Sequence, residues 1–212
     1  MVALEHLRRV DKRLSKVIDR IGVLEYHSYN NNRNGFVFLV SEIVGQMISA
    51  KVKKVIYNRF LELCSNNISP EAILDLSIEQ LRSIGLSQSK SEYITNLARL
   101  ANEGKIDFNS LCLMSDEDVI KSLTAIKGIG NWTAKMFLIF FLQREDVLPY
   151  EDGAFLQSYK WLYNTSKLDK TSIIQRCKKW KPYTSIGARY MYRAFDLGLV
   201  KQPIKEFLNE KP

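Results

Sequence analysis

The sequence has few cysteines, and none of them begins a metal-binding motif. Cys64, Cys112 and Cys177 are the three cysteines among 212 residues, they lie far apart, and no CxxC pair occurs. Structural zinc and iron–sulfur sites need several closely spaced thiolates, and a disulfide-stabilised domain needs a denser set. We therefore expect no disulfide framework, no zinc site and no iron–sulfur cluster.

The sequence also lacks a long apolar run, and its first residues do not have the pattern of a signal peptide. The N-terminus begins MVALEHLRRVDKRLSKVIDR, without an uninterrupted apolar stretch or a small-residue cleavage site. No apolar run approaches the roughly 20 residues of a membrane span. We expect an intracellular protein with no membrane partner, located in the cytoplasm and nucleoid, or in the nucleus if the source is eukaryotic.

Acidic residues are outnumbered by basic ones. The chain has 31 lysines and arginines against 23 aspartates and glutamates, which gives a formal net charge of +8. This balance favours a polyanionic partner, although many basic proteins bind no nucleic acid. The length and the 46% hydrophobic content allow one compact unit or two interlocked helical lobes.

Apolar residues recur at intervals of three and four along nearly the whole chain, and no convincing run alternates as a strand does. From Leu4 to Ile21 this spacing predicts a first helix, which Gly22 ends. The polar segment HSYNNNRNG follows and predicts a loop. From 36 to 64 the spacing predicts a second helical stretch, broken near Gly45 to Ser49. We therefore expect an all-α fold.

Short polar residues predict where several helices begin. Ser77, with Gln80 three residues later, is typical of a capping box. Asp152 can cap the helix that follows it, and Thr184 or Ser185 is expected to cap the last core helix.

Two glycines, one residue apart, separate an amphipathic helix from a strongly apolar one. They are Gly128 and Gly130 of LTAIKGIGNWTAKMF, and the apolar helix is predicted from Trp132 to Leu142. Such a hairpin frees backbone N–H groups to face an anion and lets a phosphate approach where a Cβ would block it. An ordinary tight turn between two helices is the alternative, and the glycines alone favour neither.

A candidate catalytic acid follows the hairpin. Asp152 lies in VLPYEDGAF, after a short connection that can return its carboxylate toward the hairpin. Glu151 is the neighbouring alternative. A capping role for Asp152 is compatible with a chemical one, because a cap position also holds a carboxylate rigidly.

The hairpin and the later aspartate together resemble the helix-hairpin-helix (HhH-GPD) superfamily of DNA glycosylases, and most of all its 3-methyladenine DNA glycosylase II branch. The hairpin continues into Trp132-Thr133-Ala134, as it does in that branch. Three more segments are similar to landmarks of the branch and keep their order: VGQMIS (44–49), GLSQSKSEYITNLA (85–98) and WKPYTSIGARYMY (180–192). The likeness extends from about residue 10 to 198.

The resemblance implies a single unit of two interlocked helical lobes. One lobe comprises about residues 1–35 and 146–212, and the central lobe, about 36–145, carries the hairpin. The implied activity is that of a monofunctional DNA glycosylase of base excision repair, a hydrolase that flips a damaged base out of duplex DNA and cuts its N-glycosyl bond. Alkylated purines such as 3-methyladenine and 7-methylguanine are the implied substrates, and a monomer is expected.

The resemblance also implies which residues perform the reaction. Asp152 takes the place of the catalytic carboxylate, which stabilises positive charge on the deoxyribose and aligns the attacking water. Trp132 takes the place of a wall of the base pocket, where Met136 and Tyr192 join it. Aromatic walls stack on an extruded base and attract a cationic one.

Contacts to DNA are implied at two places. Met47, beside Gln46, takes the place of the apolar wedge that fills the vacated stack, although a methionine at this spacing is ordinarily a core residue. The hairpin contacts are implied at Lys127, Gly128, Ile129, Gly130 and Lys135. The backbone of Thr124, Ile126 and Ile129 can weakly hold a sodium or potassium ion, and no other cofactor is expected. Further basic residues that could neutralise phosphates are Arg176, Lys178, Lys179, Lys181 and Arg189.

Two alternatives stay open. Bifunctional members of the superfamily carry a lysine that forms a Schiff base at the position of Trp132, so a glycosylase with lyase activity, as for 8-oxoguanine, is the less favoured enzyme. A hairpin protein that binds damaged DNA without cutting it is the second alternative. Asp152 argues against it, because binding alone needs no buried acid.

Overall fold

The computed structural model describes residues 2–24 and 34–209, and within them the secondary structure is helical with no strand. The predicted all-α fold class is therefore confirmed. In chain order the α-helices are α1 Val2–Val10, α2 Lys12–Ile21, α3 Gly35–Gly45, α4 Ala50–Leu63, α5 Pro70–Leu74, α6 Ile78–Ser83, α7 Gln88–Asn102, α8 Phe108–Leu111, α9 Asp116–Thr124, α10 Asn131–Met136, α11 Gly153–Tyr163, α12 Lys170–Cys177, α13 Thr184–Asp196 and α14 Ile204–Asn209.

The chain divides into two compact units. The first unit comprises Met1–Ser28 and Gln143–Pro212, and the second comprises Tyr29–Leu142, as far as their residues are described. In the first unit, α2, α11 and α13 pack against one another around fully buried side chains that include Leu14, Tyr159 and Met191.

The core of the second unit lies between α3, α7 and the end of α10. Ile43 of α3 and Ile94 of α7 are fully buried, as is Phe137 just after α10. The chain leaves α10 in a π-helical segment, Phe137–Phe141, in which the Leu142 N–H donates to Phe137 O at 2.9 Å. The predicted helix from Trp132 to Leu142 is thus α-helical only as far as Met136.

The predicted first helix is two helices. Asp11 separates them, because its backbone is extended (φ −138°, ψ 96°) and its Oδ1 accepts hydrogen bonds from the Arg13 and Leu14 N–H groups. Asp11 is therefore the cap of α2. The apolar spacing continues across this break and could not reveal it, whereas the predicted end at Gly22 is confirmed. The loop predicted for HSYNNNRNG falls largely on residues 27–33, which lie outside the described residues.

The predicted caps have different outcomes. The capping box is confirmed: the Ser77 N–H donates to Gln80 Oε1 at 2.8 Å, and the Gln80 N–H donates to Ser77 Oγ at 3.2 Å. The predicted cap at Thr184 or Ser185 is wrong, because α13 begins without a side-chain cap. These hydroxyls instead bind the segment before Asp152.

Thr184 and Ser185 bind that segment through hydrogen bonds. Thr184 Oγ1 donates to Asp146 Oδ1 at 2.7 Å, and the Ser185 N–H donates to Glu145 O at 2.9 Å. The Val147 N–H donates to Ser185 Oγ at 2.8 Å, and that hydroxyl donates to Val147 O at 3.2 Å. The start of α13 therefore fixes the chain that leads to α11. None of the helices described in either unit is long and apolar enough to cross a membrane.

Candidate functional site

The hairpin of the second unit joins α9 to α10 through residues 125–130. Its turn is closed by the Ile126 N–H, which donates to Leu123 O at 3.1 Å, and by the Ile129 N–H, which donates to Ile126 O at 3.0 Å. Gly128 has a φ of 93°, a conformation that favours glycine. Gly130 begins α10 without a side-chain cap. The first N–H groups of α10 therefore have no capping side chain and are oriented as at helix ends that bind anions.

Space is open at the second hairpin glycine. No atom lies within 4 Å of the position that a Cβ on Gly130 would occupy, and Gly130 and Lys127 are exposed. The fold of this unit does not require glycine there. The open space leaves room for a ligand to approach the backbone closely.

The turn between α3 and α4 carries an apolar side chain in full solvent exposure. Met47 is 101% exposed, and its φ of 57° lies in the left-handed region that non-glycine residues rarely adopt. The core role considered for Met47 is therefore excluded. An exposed thioether on a strained turn matches what a DNA wedge requires.

Gln46 links this turn to the hairpin. Its Nε2 donates to Gly128 O at 2.9 Å and to Thr133 Oγ1 at 3.3 Å. The side-chain amide nitrogen of Gln46 thus binds protein atoms, and the two sequence motifs expected to bind DNA are in direct contact within the second unit. Holding them together in this way fixes the position of Met47 relative to the hairpin.

The side chains after the hairpin differ in exposure. Trp132 is partly buried, whereas Lys135 and Met136 are buried, with 8% and 4% of their surface exposed. Lys135, which was expected to contact DNA, is thus largely shielded from solvent. Tyr192, on α13 of the first unit, is partly buried.

Asp152 of the first unit is a buried carboxylate at the start of α11. It is 8% exposed, and its Oδ1 accepts a hydrogen bond from the Phe155 N–H at 2.8 Å, so the predicted cap is confirmed. Its own N–H donates to Pro149 O at 3.0 Å. Glu151, by contrast, is exposed. Of the two candidate acids, Asp152 is the one that the fold shields from water.

Several basic residues considered for phosphate binding have partners inside the first unit. The Lys179 ammonium lies 3.0 Å from Asp11 Oδ2, and the Lys181 ammonium lies 3.0 Å from Asp146 Oδ2. Arg176 Nε donates to the Tyr159 hydroxyl at 3.1 Å. The carboxylates partly offset the charges of Lys179 and Lys181, whereas the neutral Tyr159 hydroxyl leaves the charge of Arg176 unchanged.

Among the described side chains, no group of three or more His, Cys, Asp or Glu is arranged to hold a metal ion. For a monovalent ion the predicted ligands are backbone atoms of the hairpin. One of them, Ile126 O, also accepts the hydrogen bond from the Ile129 N–H, and a carbonyl oxygen has a second lone pair.

A family model described as "HhH-GPD superfamily base excision DNA repair protein" matches residues 40–182, which is more than half of the chain. The chain belongs to the HhH-GPD superfamily. Over 204 residues it is 27% identical to DNA-3-methyladenine glycosylase 1 of Schizosaccharomyces pombe, covering 94% of this chain and 90% of that protein.

Two solved structures resemble this chain over nearly its whole length. A DNA-3-methyladenine glycosidase of Bacillus halodurans is 33% identical, with a TM-score of 0.80 and coverage of 99% of this chain and 97% of the other. The 3-methyladenine DNA glycosylase Mag1 of Schizosaccharomyces pombe, in complex with abasic DNA, is 26% identical, with a TM-score of 0.84 and coverage of 92% and 97%.

The structure of this HhH-GPD protein places one residue at the site that the sequence did not indicate. The Lys90 ammonium, from the start of α7, donates to Val44 O and Gln46 O. Lys90 belongs to GLSQSKSEYITNLA, one of the segments that carry the resemblance. Its partners, however, lie far away along the sequence, and no local pattern pairs them.

Proposed function

We propose that this protein is a monofunctional DNA glycosylase of base excision repair, a hydrolase that removes alkylated purines from duplex DNA. The observation that carries the proposal is the shielded, rigidly held carboxylate of Asp152, in a chain that resembles DNA-3-methyladenine glycosylases over at least 90% of its length. One of these relatives was solved with abasic DNA, which is the kind of DNA that base removal leaves. With DNA as its partner, the protein acts inside the cell, as a monomer.

Asp152 supplies the charge that the reaction needs. As the bond between C1′ and the base lengthens, its electron pair leaves with the base and positive charge develops on the deoxyribose. A carboxylate that is 8% exposed acts on this charge with little screening by water. The hydrogen bond from Phe155 fixes Oδ1, so the carboxylate is positioned before the charge develops. Water then adds to C1′ and gives up a proton to the carboxylate.

The proposed base pocket favours bases that are already cationic. An N3- or N7-alkylated purine carries a positive charge, so it leaves as a neutral molecule and needs no second acid to protonate it. Trp132 and Tyr192 are the proposed aromatic walls, and an aromatic face attracts a cationic ring. Met136 is the proposed apolar member of the same pocket.

The second unit provides the proposed DNA contacts. Met47 fills the space that the flipped base leaves, because it is apolar, unbranched and fully exposed. The backbone of Gly128, Ile129 and Gly130 and the exposed Lys127 face a phosphate, to which a sodium or potassium ion held by hairpin carbonyls contributes. Gln46 acts here by holding the Met47 turn against the hairpin.

A panel of duplexes tests the proposal. Duplexes that each contain one 7-methylguanine, 3-methyladenine, uracil or 8-oxoguanine are incubated with the protein, and alkali then cleaves the abasic sites. We expect release of the methylated purines to exceed release of the two neutral bases, and Trp132→Ala to reduce this preference. Faster release of 8-oxoguanine would overturn the alkylpurine assignment. Absence of release from every duplex, together with tight binding, would establish the non-catalytic alternative.

A further inference from the structure

A lysine ammonium lies at the end of α3, directly before the turn that carries Met47. Lys90 is in the first turn of α7, and α7 packs against α3. Its Nζ donates to Val44 O at 2.9 Å and to Gln46 O at 2.7 Å. The two carbonyls belong to the last turn of α3 and to the residue before Met47, so the ammonium binds the backbone on the approach to the wedge.

The position of Lys90 is unfavourable for its own helix. A positive charge in the first turn of a helix opposes the helix dipole, whereas one at the C-terminal end of a helix is stabilising. Burial also lowers the pKa of the Lys90 ammonium, because desolvation disfavours its charged form. The charge therefore does not stabilise α7. It stabilises the carbonyl groups at the end of α3, to which the ammonium donates.

Besides the Gln46 side chain, which binds the hairpin, two long backbone hydrogen bonds hold the turn after α3. The Gln46 N–H donates to Ile43 O at 3.3 Å and the Ile48 N–H donates to Gly45 O at 3.4 Å, and both hydrogen bonds are longer than the common value of about 2.9–3.0 Å. The left-handed backbone of Met47 adds strain. Hydrogen bonds from an ammonium are stronger than those between neutral groups.

We propose that Lys90 is a positioning residue that pins the turn of residues 46–49 and so presents Met47 to DNA in a single conformation. The proposal rests on the proposed function in one respect, which is the role of Met47 as the wedge. Without the ammonium the turn relaxes from its strained backbone, and DNA binding must order it again. That ordering lowers affinity for DNA with a vacated stack.

Three variants isolate the contribution of the ammonium. Lys90→Met keeps most of the side-chain stem and removes the charge and the donors. Lys90→Arg keeps the positive charge and the hydrogen-bond donors, and it is the conservative rescue variant. Lys105→Met, at a surface lysine that pairs with Glu103 at 2.7 Å, removes one positive charge elsewhere in the same unit and is the matched control.

The first measurement needs no DNA. Hydrogen exchange of the Ile48 amide, relative to amides in the middle of α4, should accelerate by about tenfold in Lys90→Met, because the turn opens without unfolding of the unit. Lys90→Arg should restore most of the protection, and Lys105→Met should match wild type. Unchanged exchange at residue 48 in Lys90→Met, or equal acceleration throughout the unit, would overturn the positioning role.

The second measurement is a double-mutant cycle on binding to a duplex with one abasic site. Lys90→Met should raise Kd by about tenfold on that duplex and by less than about twofold on single-stranded DNA, which has no stack to fill. In a Met47→Ala background, Lys90→Met should raise this Kd by less than about twofold, because the effects of residues that act through one another are not additive.

Full additivity, or a Met47→Ala protein that binds the abasic duplex as tightly as wild type, would overturn the inference. Failure of the proposed function is recognised separately, as absence of base release by the wild-type protein, and the hydrogen exchange result still decides whether Lys90 pins the turn.

Discussion

The ring of Tyr93 lies directly against the backbone of Gly128. A Cβ built on Gly128 would meet Tyr93 Cγ at 2.2 Å and Tyr93 Cδ2 at 2.4 Å. Because the backbone at Gly128 also has a positive φ, two independent features demand glycine there. Neither applies to Gly130, whose φ is −97° and whose Cβ position is empty.

The two hairpin glycines should therefore differ when each is replaced by alanine. Gly128→Ala should destabilise the protein by about 3 kcal/mol, through backbone strain and overlap with Tyr93. Gly130→Ala should change stability by less than about 0.5 kcal/mol, yet weaken duplex binding because its methyl group occupies the approach of a phosphate. Thermal unfolding and fluorescence anisotropy with a labelled duplex measure the two effects. Wild-type DNA affinity in Gly130→Ala would count against the hairpin as a phosphate site.

Asp152→Asn should lose catalysis and keep the fold. Asparagine is an equally good helix cap, so the melting temperature should change little and DNA binding should survive. Without the negative charge, base release should fall by about 10²–10³-fold, measured in single turnovers on 7-methylguanine duplex. Glu151→Gln, at the exposed neighbour, is the matched control and should stay near wild type. Loss of activity in the control alone would move the catalytic role to Glu151.

Asp11 should make the stability of the first unit depend on acid pH. Burial raises the pKa of Asp11, but hydrogen bonds from Tyr163, Trp180 and Lys179 outweigh it, so the pKa is lowered from 3.8. The stabilisation is therefore complete above pH 3.8 and is lost as the pH falls through the lower folded-state pKa. Asp11→Asn should cost about 2 kcal/mol at neutral pH, and its difference from wild type should shrink as the solution is acidified.

Urea unfolding at a series of pH values measures this difference. Asp19→Asn is the control, because Asp19 pairs with Arg8 on the surface at 2.9 Å and exposed pairs contribute at most about 1 kcal/mol. A constant difference between Asp11→Asn and wild type across the acid range would contradict the prediction.

Borohydride should not trap a covalent complex between the wild-type protein and abasic or lesion-containing DNA. Trapping requires a Schiff base from an amine at the reacting sugar, and the resemblance implies that Trp132 takes the place of the lysine that forms it in bifunctional members. The products are separated by denaturing electrophoresis. A strong trapped band that disappears on substitution of one lysine would show lyase chemistry, whereas faint trapping shared by many surface amines would not.

The sequence predicted those features that neighbouring residues determine. Apolar spacing gave the helices, and the hairpin and Asp152 could be recognised because each motif is local. The break at Asp11 was missed, since an aspartate at one position leaves the apolar spacing of α1 and α2 intact. The π-helical segment after α10 was also missed, because a run that is apolar on every side fits an α-helix and a π-helix equally well.

The features that could not be predicted depend on residues that are distant in the sequence. Lys90 reaches carbonyls 44 and 46 residues away, and Ser185 binds Val147 across 38 residues. These pairings follow from which helices pack together, and composition and periodicity contain no information about that. For the same reason the sequence could not distinguish the structural glycine, Gly128, from Gly130.

The exposure of Met47 also makes its thioether accessible to oxidants in solution. Met136 and Met191 are buried, whereas Met47 is fully exposed, so an oxidant in solution reaches the Met47 sulfur before theirs. Methionine sulfoxide is polar and bulkier, and it would enter a stack of bases poorly. A peroxide dose too small to unfold the protein should therefore weaken its binding to a duplex with one abasic site. A methionine sulfoxide reductase should restore that binding.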